Sequence, residues 1–156
     1  MAQQETYLTE EGLGKVAEEL EHLRAIRRQE VAQRIQRSIE IGGTVDNAEY
    51  DEAKNEQAFV EGRILTLEVQ ARNAVLIPGN PGPSKVVRLG STVTVETGKG
   101  KSQTYVIVGR VEADPSQGKI SNESPVGKAL IGLKSGGTAT VDTPSGSVKL
   151  KVVQIR

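Results

Sequence analysis

The sequence has no cysteine and no tryptophan, and only one histidine, one phenylalanine and three tyrosines in 156 residues. Without cysteine there is no disulfide framework and no thiolate zinc site. The lone His22 cannot build a histidine-rich metal centre or an ordinary Ser-His-Asp triad. With so few aromatics, any core must be aliphatic. No apolar run approaches the ~20 residues that span a bilayer, and Met1-Ala2-Gln3-Gln4-Glu5 lacks the basic and apolar regions of a signal peptide. The expectation is a soluble, cytoplasmic protein with no membrane partner.

What is present is charge, and it is unevenly distributed. Acidic and basic residues balance at 20 each. Up to Ile77, however, there are 9 basic and 15 acidic residues, whereas the remainder has 11 basic and 5 acidic. Such a split predicts two modules with different surface duties. An acidic module joined to a basic one does not make the single positive stripe of a duplex-DNA reader. Any nucleic acid it meets is expected to be presented by a protein partner.

Thr9-Glu10-Glu11-Gly12 has the form of a helix start, with Thr9 as cap and acids in the first turn. Leu13, Val16, Leu20 and Leu23 then follow 3-4-3 spacing. Strict continuation would fall on Arg27, Glu30 and Arg34, yet the apolar seam resumes one position later at Val31 and Ile35, with Ile39 as a further member. This is either a phase shift in a coiled-coil pattern or a stretch that needs less burial. Gly42-Gly43 ends the helix. A second seam, Ala53, Gln57, Val60, Ile64, Leu67, Ala71 and Ala74, is polar only at Gln57. Two such seams joined by a short connection predict an antiparallel helical hairpin of ~30 residues per helix, ~45 Å long at ~1.5 Å per residue.

Pro78-Gly79-Asn80-Pro81-Gly82-Pro83 cannot continue a helix, so the expected division is a helical hairpin over 1–77, a linker over 78–84 and a second domain over 85–156. In the second domain β-branched runs predict strands at Ser91 to Glu96, Thr104 to Val111, Gly137 to Asp142 and Ser147 to Ile155. Thr97–Lys101 and Pro144-Ser145-Gly146 read as hairpin turns. Ser124-Pro125 opens a short helix through Leu130, with Ser as cap and Pro in the first turn. The class is α+β: a coiled-coil hairpin, then a small antiparallel sheet with one short helix.

The connection between the long helices carries the chemistry. Asp46, Glu49, Asp51 and Glu52 cluster there, and such carboxylates can complete the oxygen shell of a Mg²⁺ that has other ligands. Asp46 followed by Glu49 also fits a capping box for the second helix. On the first helix Arg24, Arg27, Arg28, Arg34 and Arg37, with Lys54 beyond the tip, are either phosphate contacts or a solvated face paired with Glu30 and its neighbours.

These residues carry a resemblance. Gly42, a four-residue gap and Asn47-Ala48-Glu49-Tyr50, with Ala53, Glu56-Gln57 and Glu61-Gly62-Arg63-Ile64 behind it, resemble the tip and second helix of GreA-type bacterial transcript-cleavage factors of the Gre family. Leu8-Thr9-Glu10-Glu11-Gly12 with Glu18-Glu19-Leu20 resembles the family's first helix. Gly90-Ser91-Thr92-Val93-Thr94-Val95 resembles its opening strand, and the run from Ser124 to Gly132 its C-terminal helix. The resemblance extends in order from about Tyr7 to Ile155.

It implies an FKBP-like second domain, seated at the rim of the secondary channel of bacterial RNA polymerase through the segment that includes Ser124 and Pro125. It further implies a hairpin whose tip carboxylates help hold a Mg²⁺ shared with the polymerase site, so that backtracked RNA is cleaved near its 3′ end. Such a factor is a monomer, has no cofactor of its own and is not an enzyme by itself. By the same resemblance Asp46 is the metal-directed acid, Glu49 a weaker alternative, and Arg34, Arg37 and Lys54 the RNA contacts. The family tip reads Gly-Asp, two residues, then Glu-Asn. Here Gly43 stands in the place of the Asp and Asp46 in that of the Glu, which leaves one tip carboxylate, a methylene shorter; neither Glu40 nor Glu49 sits at a motif position. The alternative is therefore a cleavage-deficient regulator that occupies the channel. A peptidyl-prolyl isomerase, the other activity an FKBP-like fold brings, needs an aromatic-lined pocket, and Tyr105 is the only aromatic after Phe59.

Overall fold

The computed structural model describes residues 4–156. They form two compact units, one of Leu13–Asn73 and one of the chain up to Gly12 together with Ala74–Arg156.

The first unit is the helical hairpin. Its first arm runs through α1 (Glu10–His22), a π-helical segment (Leu23–Arg27) and α2 (Arg28–Gly42), and its second arm is α3 (Ala48–Arg72). The π-segment explains the shift in the apolar seam. There the N–H of Arg28 bonds to the carbonyl of Leu23, an i→i+5 bond that accommodates one extra residue in the turn. The seam thus leaves Leu23 and re-enters at Val31 one position late while facing the same partner. Val31, Val60 and Ile64 are buried together, with Leu20, Leu23 and Ile35 packed against them. Beyond Ile35 the seam passes through Ser38, only 3% exposed, rather than Ile39, which is exposed. Ser38 tolerates burial because its hydroxyl donates to the carbonyl of Ile35 at 2.7 Å. At 25 residues α3 is shorter than the periodicity suggested, about 38 Å long, because the chain is already extended at Ala74.

In the second unit, β1 (Thr6–Leu8) and β2 (Ala74–Leu76) pair in parallel, Tyr7 opposite Val75. Thr9 caps α1, accepting from the N–H of Gly12 at 3.0 Å. Its own N–H and hydroxyl both donate to the Glu112 carboxylate at 2.7 Å. A five-stranded sheet follows, built from β3 (Thr92–Thr97), β4 (Ser102–Val108), β5 (Lys119–Ser121), β6 (Thr138–Thr143) and β7 (Gly146–Ile155) in the order β5-β4-β3-β7-β6. It is antiparallel except at its edge, where β5 runs parallel to β4, a strand absent from the sequence expectation. The β4 strand ends at Val108, not Val111, because Arg110–Glu112 close into a 3₁₀ turn.

Alternation decides which residues enter the core. Val93 and Val95 of β3 face inward, as do Leu150 and Val152 of β7. The register then slips between Thr94 and Val95, so that Val93 pairs with Ile155 and Val95 with Val152. Alternation from Val152 already points Val153 outward; the bulge keeps Gln154 outward as well and brings Ile155 back to the interior. Helix α4 (Pro125–Leu130) contributes Leu130 to the same core, beside Val87, Ile107 and Val141. It lies so close to the end of β5 that a Cβ at Gly127 would collide with the carbonyl of Ser121. Among the described residues no helix is long and apolar enough to cross a membrane.

Candidate functional site

The hairpin turns over residues 43–47, and each has a distinct backbone role. Gly43 ends α2 with φ 68° and ψ −156°, its N–H bonding to the carbonyl of Ile39 at 2.8 Å. That conformation is essentially restricted to glycine, and another residue there costs ~1–3 kcal/mol of strain. The glycine that removes one expected carboxylate from the tip is therefore also the residue this backbone requires. Asp46 takes a left-handed φ of 50°, which aspartate tolerates better than most side chains.

The capping box expected from Asp46 and Glu49 is not formed. Asn47 is the cap of α3: its Oδ1 accepts from the N–H of Tyr50 at 3.2 Å. Its Nδ2 donates to the carbonyls of Ser38 and Gly43, both at 2.8 Å. One amide thus starts α3 and ties it to the end of α2. Asp46 is relieved of capping, is exposed, and its carboxylate has no hydrogen bond or ion pair among the described residues. Asn47 was the residue that the sequence reading missed. Its signal was its identity as a good cap three residues before Tyr50, masked by an adjacent aspartate that caps equally well.

Glu49 is committed elsewhere. It pairs with Arg34 at 2.8 Å, and hydrogen bonding from that guanidinium, with its charge, holds the Glu49 carboxyl below its ordinary range. Arg34 also reaches Glu52 at 3.4 Å and Glu56 at 2.6 Å. Its own pKa is pushed upward, first by the hydrogen bonds to Glu49 and Glu56. Glu56 also binds Arg27, which in turn binds Glu30. The ladder continues along the hairpin through Arg24–Glu68, a bidentate Arg28–Glu61 pair and a bidentate Arg63–Glu19 pair. Most of these bonds join opposite arms. Each exposed pair adds little stability, but together they favour one antiparallel register.

The expected basic face is accordingly divided. Arg27 and Arg34 are neutralised by carboxylates, as the solvated-face reading has it. Arg37 is exposed and its side chain has no bonded partner among the described residues. Lys54 is exposed and bonds only to Gln57, at 2.9 Å. Glu40 accepts from Gln36 at 3.2 Å. Among the described residues no three acidic or histidine side chains converge as a metal cluster. A lone Asp46 supplies one of the six or so oxygens Mg²⁺ requires.

In the second unit Ser124 caps α4, accepting from the N–H of Gly127 at 3.0 Å and donating to the carbonyl of Ser121 at 2.7 Å. Its hydroxyl is thus in use. Pro125 occupies the first turn and is exposed.

Comparison with known proteins agrees across both units. A family model described as "Transcription elongation factor, N-terminal" matches residues 6–76, and one described as "Transcription elongation factor, GreA/GreB, C-term" matches residues 82–156. Transcription elongation factor GreA of Bacillus licheniformis is 48% identical over 157 residues, covering 99% of this chain and 99% of its own. The GreA of Acetivibrio thermocellus is 50% identical over 153 residues, covering 97% of this chain and 96% of its own. The crystal structure of GreA factor homolog 1 from Thermus thermophilus is 34% identical, covers 98% of this chain and 99% of that one, and superposes with a TM-score of 0.44. By the family models and by its identity to the two GreA proteins over nearly its whole length, the chain belongs to the GreA/GreB family of transcription elongation factors.

Proposed function

We propose that this protein binds bacterial RNA polymerase as a monomer, brings the hairpin tip to the polymerase active site and promotes cleavage of backtracked nascent RNA. The observation that carries the reading is Asp46: the one carboxylate in the 43–47 turn, exposed and without a bonded partner among the described residues, on a backbone held in place by its neighbour Asn47. The cap and clamp formed by Asn47 pre-position the tip, so that little order need be created when it docks.

Asp46 fits a Mg²⁺ shared with the polymerase as one added oxygen ligand. Such an ion, when bound, supplies Lewis-acid activation of water and of the scissile phosphate. The protein contributes a negative charge at a fixed place, while the polymerase contributes the remaining ligands. The factor is therefore a cofactor of the polymerase's own hydrolysis and not a free-standing enzyme. Arg37 and Lys54, whose charges carry no ion pair among the described residues, are the side chains available to the phosphates of displaced RNA. The second unit engages the outer surface of the polymerase near α4, where Pro125 is exposed and Ser124 shapes the turn.

The test is a stalled, backtracked polymerase complex with end-labelled RNA, incubated with and without the full-length protein. Release of a short 3′ fragment that depends on the protein supports the reading. Occupancy of the complex with no fragment at any Mg²⁺ concentration replaces it with a channel-occupying regulator.

A further inference from the structure

Helix α3 is apolar on two faces. One is the seam of Ala53, Val60, Ile64 and Leu67, buried against the other arm. At 100° per residue, Ala58, Phe59, Gly62, Leu65, Thr66 and Val69 fall on the opposite side, and all six are exposed. Phe59, the only phenylalanine in the chain, is 75% exposed, Leu65 61% and Val69 41%. Thr66 adds no polar atom to this stripe, because its hydroxyl donates back to the carbonyl of Gly62 at 3.0 Å, leaving its methyl to the surface. A Cβ at Gly62 would meet nothing within 4 Å, so glycine is not required there by the fold. It leaves a notch between Phe59 and Leu65 where another backbone can approach closely.

Two arguments select the occupant. A second copy is a poor one: these side chains expose on the order of 300 Å² of apolar surface, well short of the ~800 Å² per partner of a stable interface. The stripe also lies on the helix that follows the tip, beginning about 15 Å along α3 from its first residue, Ala48, at ~1.5 Å per residue. A partner that surrounds the hairpin from the tip inward therefore meets this face. Resting on the reading above, we propose that the outer face of α3 is a docking face for an apolar wall of RNA polymerase. That wall seats an aliphatic side chain or a helix backbone in the Gly62 notch and fixes how far and at what rotation the hairpin enters.

The experiment measures affinity of the full-length protein for RNA polymerase, with wild type, Phe59→Ala and Gly62→Leu in parallel. Both variants keep the fold, since Phe59 is largely exposed and Gly62 gains helix propensity; circular dichroism verifies this. Each is expected to weaken binding at least roughly tenfold, the loss appropriate to one large apolar anchor. Variants that bind within twofold of wild type overturn the docking face while leaving the functional reading intact. A wild type that does not bind polymerase overturns both. Concentration-dependent dimerisation of wild type, abolished by Gly62→Leu, assigns the stripe to a second copy and overturns the proposal.

Discussion

Replacing Asn47 by alanine removes three hydrogen bonds at one stroke. Loss of the cap on the Tyr50 N–H costs about 1 kcal/mol. Loss of the two Nδ2 bonds to Ser38 and Gly43 costs about 0.5–1.5 kcal/mol each, so that Asn47→Ala should cost the hairpin about 2–4 kcal/mol. Asn47→Asp separates the contributions. A carboxylate still accepts from Tyr50, and is favoured at a helix N-terminus, but it places an acceptor where Nδ2 donates to two carbonyls at 2.8 Å. The aspartate variant should therefore lose about as much as the clamp alone contributes, about 1–3 kcal/mol. Thermal and urea unfolding by circular dichroism give the totals, and amide exchange at Tyr50 and Gly43 resolves the cap from the clamp. An Asn47→Asp protein as stable as wild type would refute the claim that this amide joins the two arms.

Three further outcomes follow from the same geometry. Deleting the exposed Ala25 from the π-segment makes the 3-4 spacing continuous from Leu13 to Ile35, so the hairpin should stay folded with a melting point near that of wild type. Deleting Gln33 from α2 instead displaces Ile35 and Ser38 and should melt the tip; equal costs for the two deletions would count against the π-bulge account. Glu19, Glu49 and Glu61 are held below the ordinary 4.5, first by hydrogen bonds from Arg63, Arg34 and Arg28 respectively. Their contribution is fully present above the ordinary carboxylate value and is lost as pH falls through the lowered folded values. Helicity followed during acid titration should therefore fall below about pH 4.5, and added salt should shrink the effect. Replacing Arg37 and Lys54 together by alanine should reduce fragment release several-fold with little change in melting, whereas Arg34→Ala, which breaks ion pairs to three carboxylates, should lower stability; the opposite assignment in a paired melting and cleavage assay would return Arg34 to the RNA.

Much of the hairpin was legible because its signal is periodic and long. Even the π-segment announced itself as a one-residue slip between Leu23 and Val31, although spacing alone could not say whether the helix bulged or merely lost burial. The cap was displaced by one residue because Asp46 and Asn47 are both good caps, and only backbone geometry assigns the left-handed φ to one and the cap to the other. The strands β1, β2 and β5 were missed for lack of length, since three residues carry no alternation. The bonds from Thr9 to Glu112 join positions 103 residues apart, and the pairing of Arg34 with Glu49 and Glu56 depends on how two helices face. Neither is a pattern within one segment. Gly43 was legible as a missing acid and, with Gly42, as the end of the helix, but the backbone region it takes, with a ψ of −156°, was not.

The central claim is that Asp46 acts by its charge and not by holding the tip. The direct measurement compares wild type with Asp46→Asn in a stalled polymerase complex carrying end-labelled RNA, across a Mg²⁺ titration. Asparagine keeps the size and tolerates the left-handed φ of 50°, and the cap and clamp on Asn47 are untouched. The account predicts unchanged melting and polymerase affinity, with fragment release from wild type that needs elevated Mg²⁺ and is lost in the variant. Equal cleavage by the two proteins would contradict it.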